Sequence, residues 1–485
     1  MNNEILNLQP KELWKHFYSL TQIPRPSKKE ERIIEFIKKF GEDLGLETIV
    51  DKTGNVIIKK PATPGMEDKL GVVLQGHLDM VPQKNSDKVH DFEKDPIETI
   101  VDGEWVRANG TTLGSDNGMG VAATMAVLES TDMIHPAIEG LFTIDEETGM
   151  TGAFGLEPGI LNGDILINMD SEDEGELYVG CAGGMDAEAL FTYSEEIVPS
   201  NYTAFDIKVT GMKGGHSGID IPLGRGNSNK VLNRFLWTAQ RELGLRVAKL
   251  AGGSLRNAIP RESFATVVVP SEKTADLRKS IDNYSIIAKA ELSVVEPDMK
   301  FELIQTELPS KVMKLEDQTR VLNAAYACPH GVMRMSDGVN VPETSTNMAI
   351  YNIDNGKAEI VSLMRSSVDS AKIDLSQRMT ALLELAGAKV TLKGEYPGWK
   401  PNMDSPILKT MSEVYHKKYG KIPEVKVIHA GLECGILGNG YPNWDMISFG
   451  PTIRFPHSPD EKVNIETVDK FWNFLVETLK AIPKK

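Results

Sequence analysis

Acids and histidines begin where the apolar runs of this chain end. KLGVVLQGHLDMV closes on His77 and Asp79, EGLFTIDEETG on Glu146 and Glu147, and DILINMDSEDEG on Asp170. A further acid, Asp116, stands in GSDNGMG just ahead of the small-residue run GMGVAATMAVLEST, and His457 stands in RFPHSPDE. His77 and Asp79 are two residues apart. On a continuing strand they share a face, with Cα atoms about 7 Å apart at roughly 3.3 Å per residue. One can ligate a metal while the other orients it or an incoming water; the competing reading is a solvated loop. Glu146 and Glu147 are neighbours, so a regular strand would send them to opposite faces. They serve one site only if the strand has ended, which Thr148-Gly149 supports. One carboxylate can then hold metal while the other takes a proton; the bland alternative is an acidic turn. Asp116 suits the positive end of a helix dipole whatever else it does. Asp170 opens an acidic cluster with Glu172, Asp173 and Glu174, and a loop histidine such as His457 is, alone, more often surface. Taken together, two histidines and several carboxylates at strand ends are ligands that zinc, manganese or cobalt accept.

Competing chemistries lack their signatures. The chain has no G-x-S-x-G elbow, H-E-x-x-H, G-x-x-x-x-G-K-[ST] or G-x-G-x-x-G. Its three cysteines, Cys181, Cys328 and Cys434, lie far apart, too few for a four-cysteine zinc module and suited to a reducing compartment. With 53 Lys+Arg against 69 Asp+Glu and a net charge of -16, no nucleic-acid partner is expected, because phosphate neutralisation needs a basic face. No apolar run approaches the roughly 20 residues of a membrane span. The start, MNNEILNLQPKELW, lacks a basic segment followed by an apolar one, so the expected location is cytoplasmic.

The elements that must position these residues alternate. A helix, a turn at IPRPS and a second helix come first, with Ser27 and Glu30 in a capping-box pattern and Ile33, Ile37 and Phe40 on one face. The β-rich ETIVDKTGNVIIKK follows, then the apolar strands and small-residue helix quoted above. The expectation is an α/β layer with a mostly parallel sheet, whose strand ends form the ligand site. After about residue 186 alternating strands such as FDIKVTGM and FATVVVP are interleaved with long helices, which reads as an inserted α+β domain of two successive β-α-β-β-type units. KVIHAGLECGIL, WDMISFGP and the terminal helix ETVDKFWNFLVETLKAI return to the first texture. The expected domains are 1–186 and 396–485 as one α/β catalytic domain, interrupted by 187–395.

GHLDMV, GSDNGMG, DEETGMTGA, NMD and PHSPDE, in that order over residues 77 to 457, resemble the dinuclear zinc peptidases of the aminoacylase, carboxypeptidase G and carnosinase group. Each piece is weak; the ordered set is specific. The resemblance implies two divalent ions per chain, zinc first, with cobalt or manganese as alternatives. His77 and Asp170 would hold one, Glu147 and His457 the other, and Asp116 would bridge them, with Glu172 and Asp173 as fallbacks for Asp170. It also implies a cis peptide after Asp116, Asp79 steering His77, and Glu146 as general base toward a metal-bridged water. The inserted domain would be the family's lid. In it His216, in GMKGGHSGID, would polarise the scissile carbonyl, against the alternative of a plain hairpin. Asn257, Arg365 and Gly431 would contact substrate, Arg365 because its planar fork matches a carboxylate. The implied activity is hydrolysis of dipeptides with a free amino terminus, broad in specificity and including Xaa-His, by a monomer or homodimer. The alternatives are an aminotripeptidase or N-acyl amino acid deacylase with the same metal pair, or a metal-binding protein without catalysis.

Overall fold

Residues 4–337 and 339–485 are described in the computed structural model. They divide into two units: residues 1–180, 399–427 and 432–485 form unit 1, and residues 181–398 with 428–431 form unit 2. The short segment 428–431, which carries Gly431, therefore clusters with unit 2.

Unit 1 is built on an eight-stranded sheet. Its centre is parallel: Val72–His77 lies between Ile138–Thr143 and Ile165–Asn168, and Ile165–Asn168 pairs with Asp445–Ser448. Val56–Lys60 and Glu47–Val50 extend one side antiparallel, and Glu176–Cys181 joins Asp445–Ser448 antiparallel on the other. The parallel strands are the apolar runs of the sequence, buried along their whole length. Helix Ser115–Glu129 is buried from Asn117 to Leu128 and shows no polar face. Its alanines and glycines let it pack closely against both the sheet and helix Lys11–Thr21, which presents Leu13, Trp14, Phe17 and Leu20.

Unit 2 carries a nine-stranded antiparallel sheet. It contains the same β-α-β-β-α-β motif twice. One copy runs Tyr202–Thr210, helix Ser228–Leu243, Arg246–Gly252, Ser263–Pro270, helix Thr274–Glu291 and Lys300–Thr306. The other runs Gly183–Thr192, helix Leu315–Ala327, Pro342–Asp354, Lys357–Ser366, helix Asp369–Leu385 and Lys389–Tyr396. In both, the first strand sits between the third and fourth, and the copies join edge to edge through their second strands. The copies are not successive, as the sequence pattern led one to expect. The first is inserted whole after the opening strand of the second, an order that local periodicity cannot reveal because each strand reads the same in either nesting. A continuous core including Phe191, Phe205, Phe235 and Tyr351 underlies both copies.

Candidate active site

The parallel strands of unit 1 end on the residues singled out above. His77 closes its strand, fully buried, and Asp79 lies in the turn just beyond. The His77 Nδ1–H donates to the Asp79 carbonyl at 3.1 Å, which turns Nε2 towards the neighbouring carboxylates. Burial would lower the ring, yet the Asp170 charge and the hydrogen bonds to Asp116, Asp170 and Asp79 raise it well above the usual imidazole range. Nε2 points at Asp116 Oδ1 (3.1 Å) and Asp170 Oδ1 (3.4 Å). Asp116 turns its other oxygen to His457 Nε2 at 3.0 Å, and the same nitrogen is 3.0 Å from Glu147 Oε2. Two donor groups thus share Asp116: His77, Asp116 and Asp170, then Asp116, Glu147 and His457, with the donor atoms of each group within 4.8 Å of one another. Glu146 lies within the same reach of His77 and Glu147. Neither Glu172 nor Asp173 enters such a group among the described residues. Asp173 is paired with Arg454 at 2.6 Å.

The backbone holds this arrangement in unusual conformations. The Asp116–Asn117 peptide is cis, and the regular part of the helix begins only after Asn117. The Asn117 side-chain Nδ2 then donates to Asp170 Oδ1 and to the Met169 carbonyl, both at 2.6 Å, tying this loop to the next strand end. Gly76 makes room for this: a Cβ there would stand 2.3 Å from Asn117 Oδ1. His457 adopts φ 59°, a left-handed conformation that a non-glycine residue holds only where its surroundings require it. Asp79 orders the acidic turn, its two oxygens accepting from the amides of Glu146 (3.0 Å) and Glu147 (3.2 Å). The strand has ended at Thr143, so both glutamates can face one region.

The electrostatics are those of a site short of positive charge. Burial, with the charge of Asp116 acting against the pull of His77, raises Asp170 to about 6. Burial and then the charges of Asp116 and Asp170 raise Glu172 to about 8. Burial would lower His457, yet its hydrogen bonds to Asp116 and Glu147 carry it up to about 11. Burial also pushes the Glu146 carboxyl well above its ordinary range. Glu147 Oε1 is buried without a hydrogen-bond partner among the described residues. Crowded carboxylates of this kind, with two imidazoles, fit divalent cations of the zinc type.

In unit 2, His216 sits in a two-residue ribbon, Gly215–His216 against Ala258–Ile259. Its Nδ1 accepts from the amides of Gly218 (3.2 Å) and Ile219 (3.1 Å), so the ring proton resides on Nε2. Burial, followed by the nearby Arg365 charge, lowers His216 to about 4, which keeps the ring neutral. Arg365, 4% exposed, donates to the hydroxyls of Ser217 (3.2 Å) and Tyr396 (2.9 Å) and has no acidic ion-pair partner among the described residues. Asn257 is exposed; its carbonyl accepts from Ser217 N at 2.8 Å. His429, 5% exposed, contacts Ser345 Oγ through Nε2 at 2.7 Å.

Several residues around unit 1's site carried no expectation. Glu461 accepts from the amides of Leu113, Gly114 and Ser115 and from the Ser115 hydroxyl, at 2.6 to 3.1 Å. Arg25 donates to three carbonyls of the same region. Glu433 is fully buried and accepts from Gln75 (2.5 Å) and Thr143 (2.8 Å). The only sequence hint was their place inside the motifs IPRPS, PHSPDE and HAGLECG. Ser27 and Glu30 do not form the expected capping box. The Ser27 hydroxyl donates to Asp79 Oδ2 at 2.8 Å, and Glu30 accepts from the amide of Asp145 at 3.1 Å.

Residues 73–481 match the model of peptidase family M20/M25/M40, and the chain belongs to that family. It is 46% identical, over all of both chains, to the cytosol non-specific dipeptidase of Escherichia coli. Among solved structures it is similar to aminoacylhistidine dipeptidase from Vibrio alginolyticus, at 50% identity and a TM-score of 0.93, covering 100% of this chain and 99% of that one. A fold likeness extends to aminopeptidase PepT from Bacillus cereus, at 16% identity and a TM-score of 0.58, with 98% and 99% covered.

Proposed function

We propose that this chain is a dinuclear metal-dependent dipeptidase, acting on dipeptides with a free amino terminus, broad in specificity and including Xaa-His substrates. The observation that carries the proposal is the pair of donor groups sharing Asp116, in a chain so similar to a dipeptidase over its whole length. His77 and Asp170 would hold one divalent ion and Glu147 and His457 the other, with Asp116 common to both. Zinc is the first assignment, and cobalt and manganese suit the same donors. When bound, such a pair lowers the pKa of a shared water from about 15.7 towards 7 and polarises a carbonyl.

The chain's own residues would do the rest. Asp79, through its carbonyl, keeps the His77 proton on Nδ1, and through its carboxylate it fixes the amides of the two glutamates. Glu146 would take the proton of the attacking water and return it to the leaving amine. In unit 2, the neutral His216 presents Nε2–H as a donor suited to the carbonyl oxygen as charge develops on it. Arg365, buried without an acidic ion-pair partner among the described residues, would receive the terminal carboxylate of the substrate. Asn257 and Gly431 would line the same recognition surface. A cytoplasmic location accords with the name of the Escherichia coli relative.

The test is a panel of dipeptides, tripeptides and N-acetylated dipeptides on apo-protein reconstituted with each metal in turn. Free dipeptides should be cut in preference to both other classes. Faster turnover of tripeptides or acetylated substrates would overturn the assignment.

A further inference from the structure

The acids of unit 1's site are accompanied by a buried cation that the chemistry above leaves unused. Arg25 lies in IPRPS, in the turn between helices Lys11–Thr21 and Glu31–Asp43, and is 2% exposed. A buried arginine normally pairs with a carboxylate, yet among the described residues Arg25 makes no direct ion pair. All its hydrogen bonds go to backbone carbonyls. Nη1 donates to Leu78 (2.8 Å) and Asp79 (3.1 Å), in the turn just after His77. Nη2 donates to Gly114 (2.5 Å), two residues before Asp116. One planar fork therefore joins the two loops that deliver the first donor group.

Two glycines of GSDNGMG leave space for that fork. A Cβ on Gly114 would stand 2.6 Å from Arg25 Nη2, and one on Gly118 would stand 2.9 Å from the same atom and 2.8 Å from Phe17 Cε2. Glu461 takes the amides of Leu113, Gly114 and Ser115 in the same loop. The loop bearing Asp116 is thus gripped by a cation on a carbonyl and an anion on its amides. The Asp79 carbonyl that Arg25 holds is also the acceptor that fixes the His77 proton.

We propose that Arg25 is a positioning residue of the metal centre. It holds the turn after His77 against the loop before Asp116, and its fixed charge offsets part of the repulsion among the acids, so the donor groups are assembled before an ion arrives. Carboxylates this close repel one another strongly in a medium of low dielectric, and ligands held by outer hydrogen bonds bind metal more tightly. The inference rests on the proposed metal site and adds a residue to its support.

The test measures stepwise metal affinity by competition with a chromophoric chelator, using zinc and cobalt separately on the full chain. Wild type should bind two ions; if it binds none tightly, the metal-site proposal fails whatever Arg25 does. Given two ions in wild type, Arg25→Met should weaken at least one of the two constants by about 10- to 100-fold. Arg25→Lys should recover only part of this, because a point charge cannot span carbonyls of two loops. With excess metal, KM for a dipeptide should stay within about two-fold of wild type. Unchanged metal constants with only a lowered Tm would make Arg25 a packing residue and overturn the inference. A raised KM with unchanged constants would make it a substrate contact and overturn it equally. If Arg25→Met does not fold, Arg25→Lys decides by the same criteria.

Discussion

Unit 1 gathers carboxylates at the ends of parallel strands until burial and mutual repulsion raise Asp170 to about 6. Unit 2 does the reverse on an antiparallel sheet. It buries Arg365 beside the His216 and His429 rings, with the hydroxyls of Ser217 and Tyr396 accepting from it. Each cluster has one sign of charge in excess, and burying uncompensated charge is costly unless something completes it. The first would be completed by cations and the second by an anion. The free carboxylate of a dipeptide is an anion of that kind, and receiving it is the role proposed for Arg365.

The sharpest way to break this comparison is to remove the proton acceptor from unit 1 without touching its ligands. Glu146→Gln should lower kcat by about 10²- to 10⁴-fold, the range of general-base contributions, while metal content stays at about two ions per chain. Loss of metal instead would make Glu146 a ligand, which its reach toward His77 and Glu147 permits. The corresponding change in unit 2, His216→Ala, should lower kcat by about 10²- to 10³-fold with little effect on KM, because an oxyanion contact strengthens in the transition state. An unchanged kcat would return His216 to an ordinary turn.

Arg365 tests the anion half of the comparison. Truncating one partner of a desolvated charge pair costs about 2–5 kcal/mol. Arg365→Ala should therefore lose kcat/KM mainly on free dipeptides and hardly at all on their C-terminal amides. Retention of the wild-type ratio between the two substrates would show that the clamp lies elsewhere.

The excess of positive charge in unit 2 also predicts its response to acid. Burial, then the Arg365 charge, lowers His216 to about 4 and His429 to about 3. In the unfolded chain both titrate near 6.5. Their folded values are depressed, so the stability they contribute is present above pH 6.5 and declines as pH falls from there towards 4 and 3. Through that window each such histidine costs about 1.4 kcal/mol per pH unit. Urea unfolding of His429→Gln between pH 7 and 4.5 should show a shallower loss than wild type. Equal slopes would mean that His429 is not buried neutral.

The sequence made the fold class and the acidic strand ends legible because burial and ligation each leave a periodic trace. An apolar run buried on both faces, such as Val72–His77, can be recognised by composition, and its polar end marks where the sheet meets the site. The nesting in unit 2 left no such trace, since pairing partners are chosen at long range. Arg25 and Glu461 were illegible for a different reason. Apart from the Ser115 hydroxyl, their partners are backbone amides and carbonyls such as those of Leu78, Asp79, Leu113 and Gly114, which no side-chain pattern advertises. Ser27 and Glu30 were misread outright, because a local pattern that fits a helix start was used instead to hold Asp79 and Asp145.

That misreading supplies the smallest and most discriminating prediction. If Ser27 capped helix Glu31–Asp43, Ser27→Ala would lower stability by about 0.5–2 kcal/mol and leave catalysis alone. In the structure its hydroxyl is instead 2.8 Å from Asp79 Oδ2, the oxygen that also accepts from the Glu147 amide. Removing it leaves that carboxylate one donor short and freer to turn away from the two glutamates. A hydrogen bond of this kind contributes about 1 kcal/mol, which corresponds to a loss of roughly five-fold in kcat. Tm should fall only slightly, by the loss of that one hydrogen bond, because the helix makes no side-chain cap to lose as well. Ser27→Thr should restore most of the activity by returning the hydroxyl. A fall in Tm with unchanged kcat would reinstate the capping box and detach the IPRPS turn from the site.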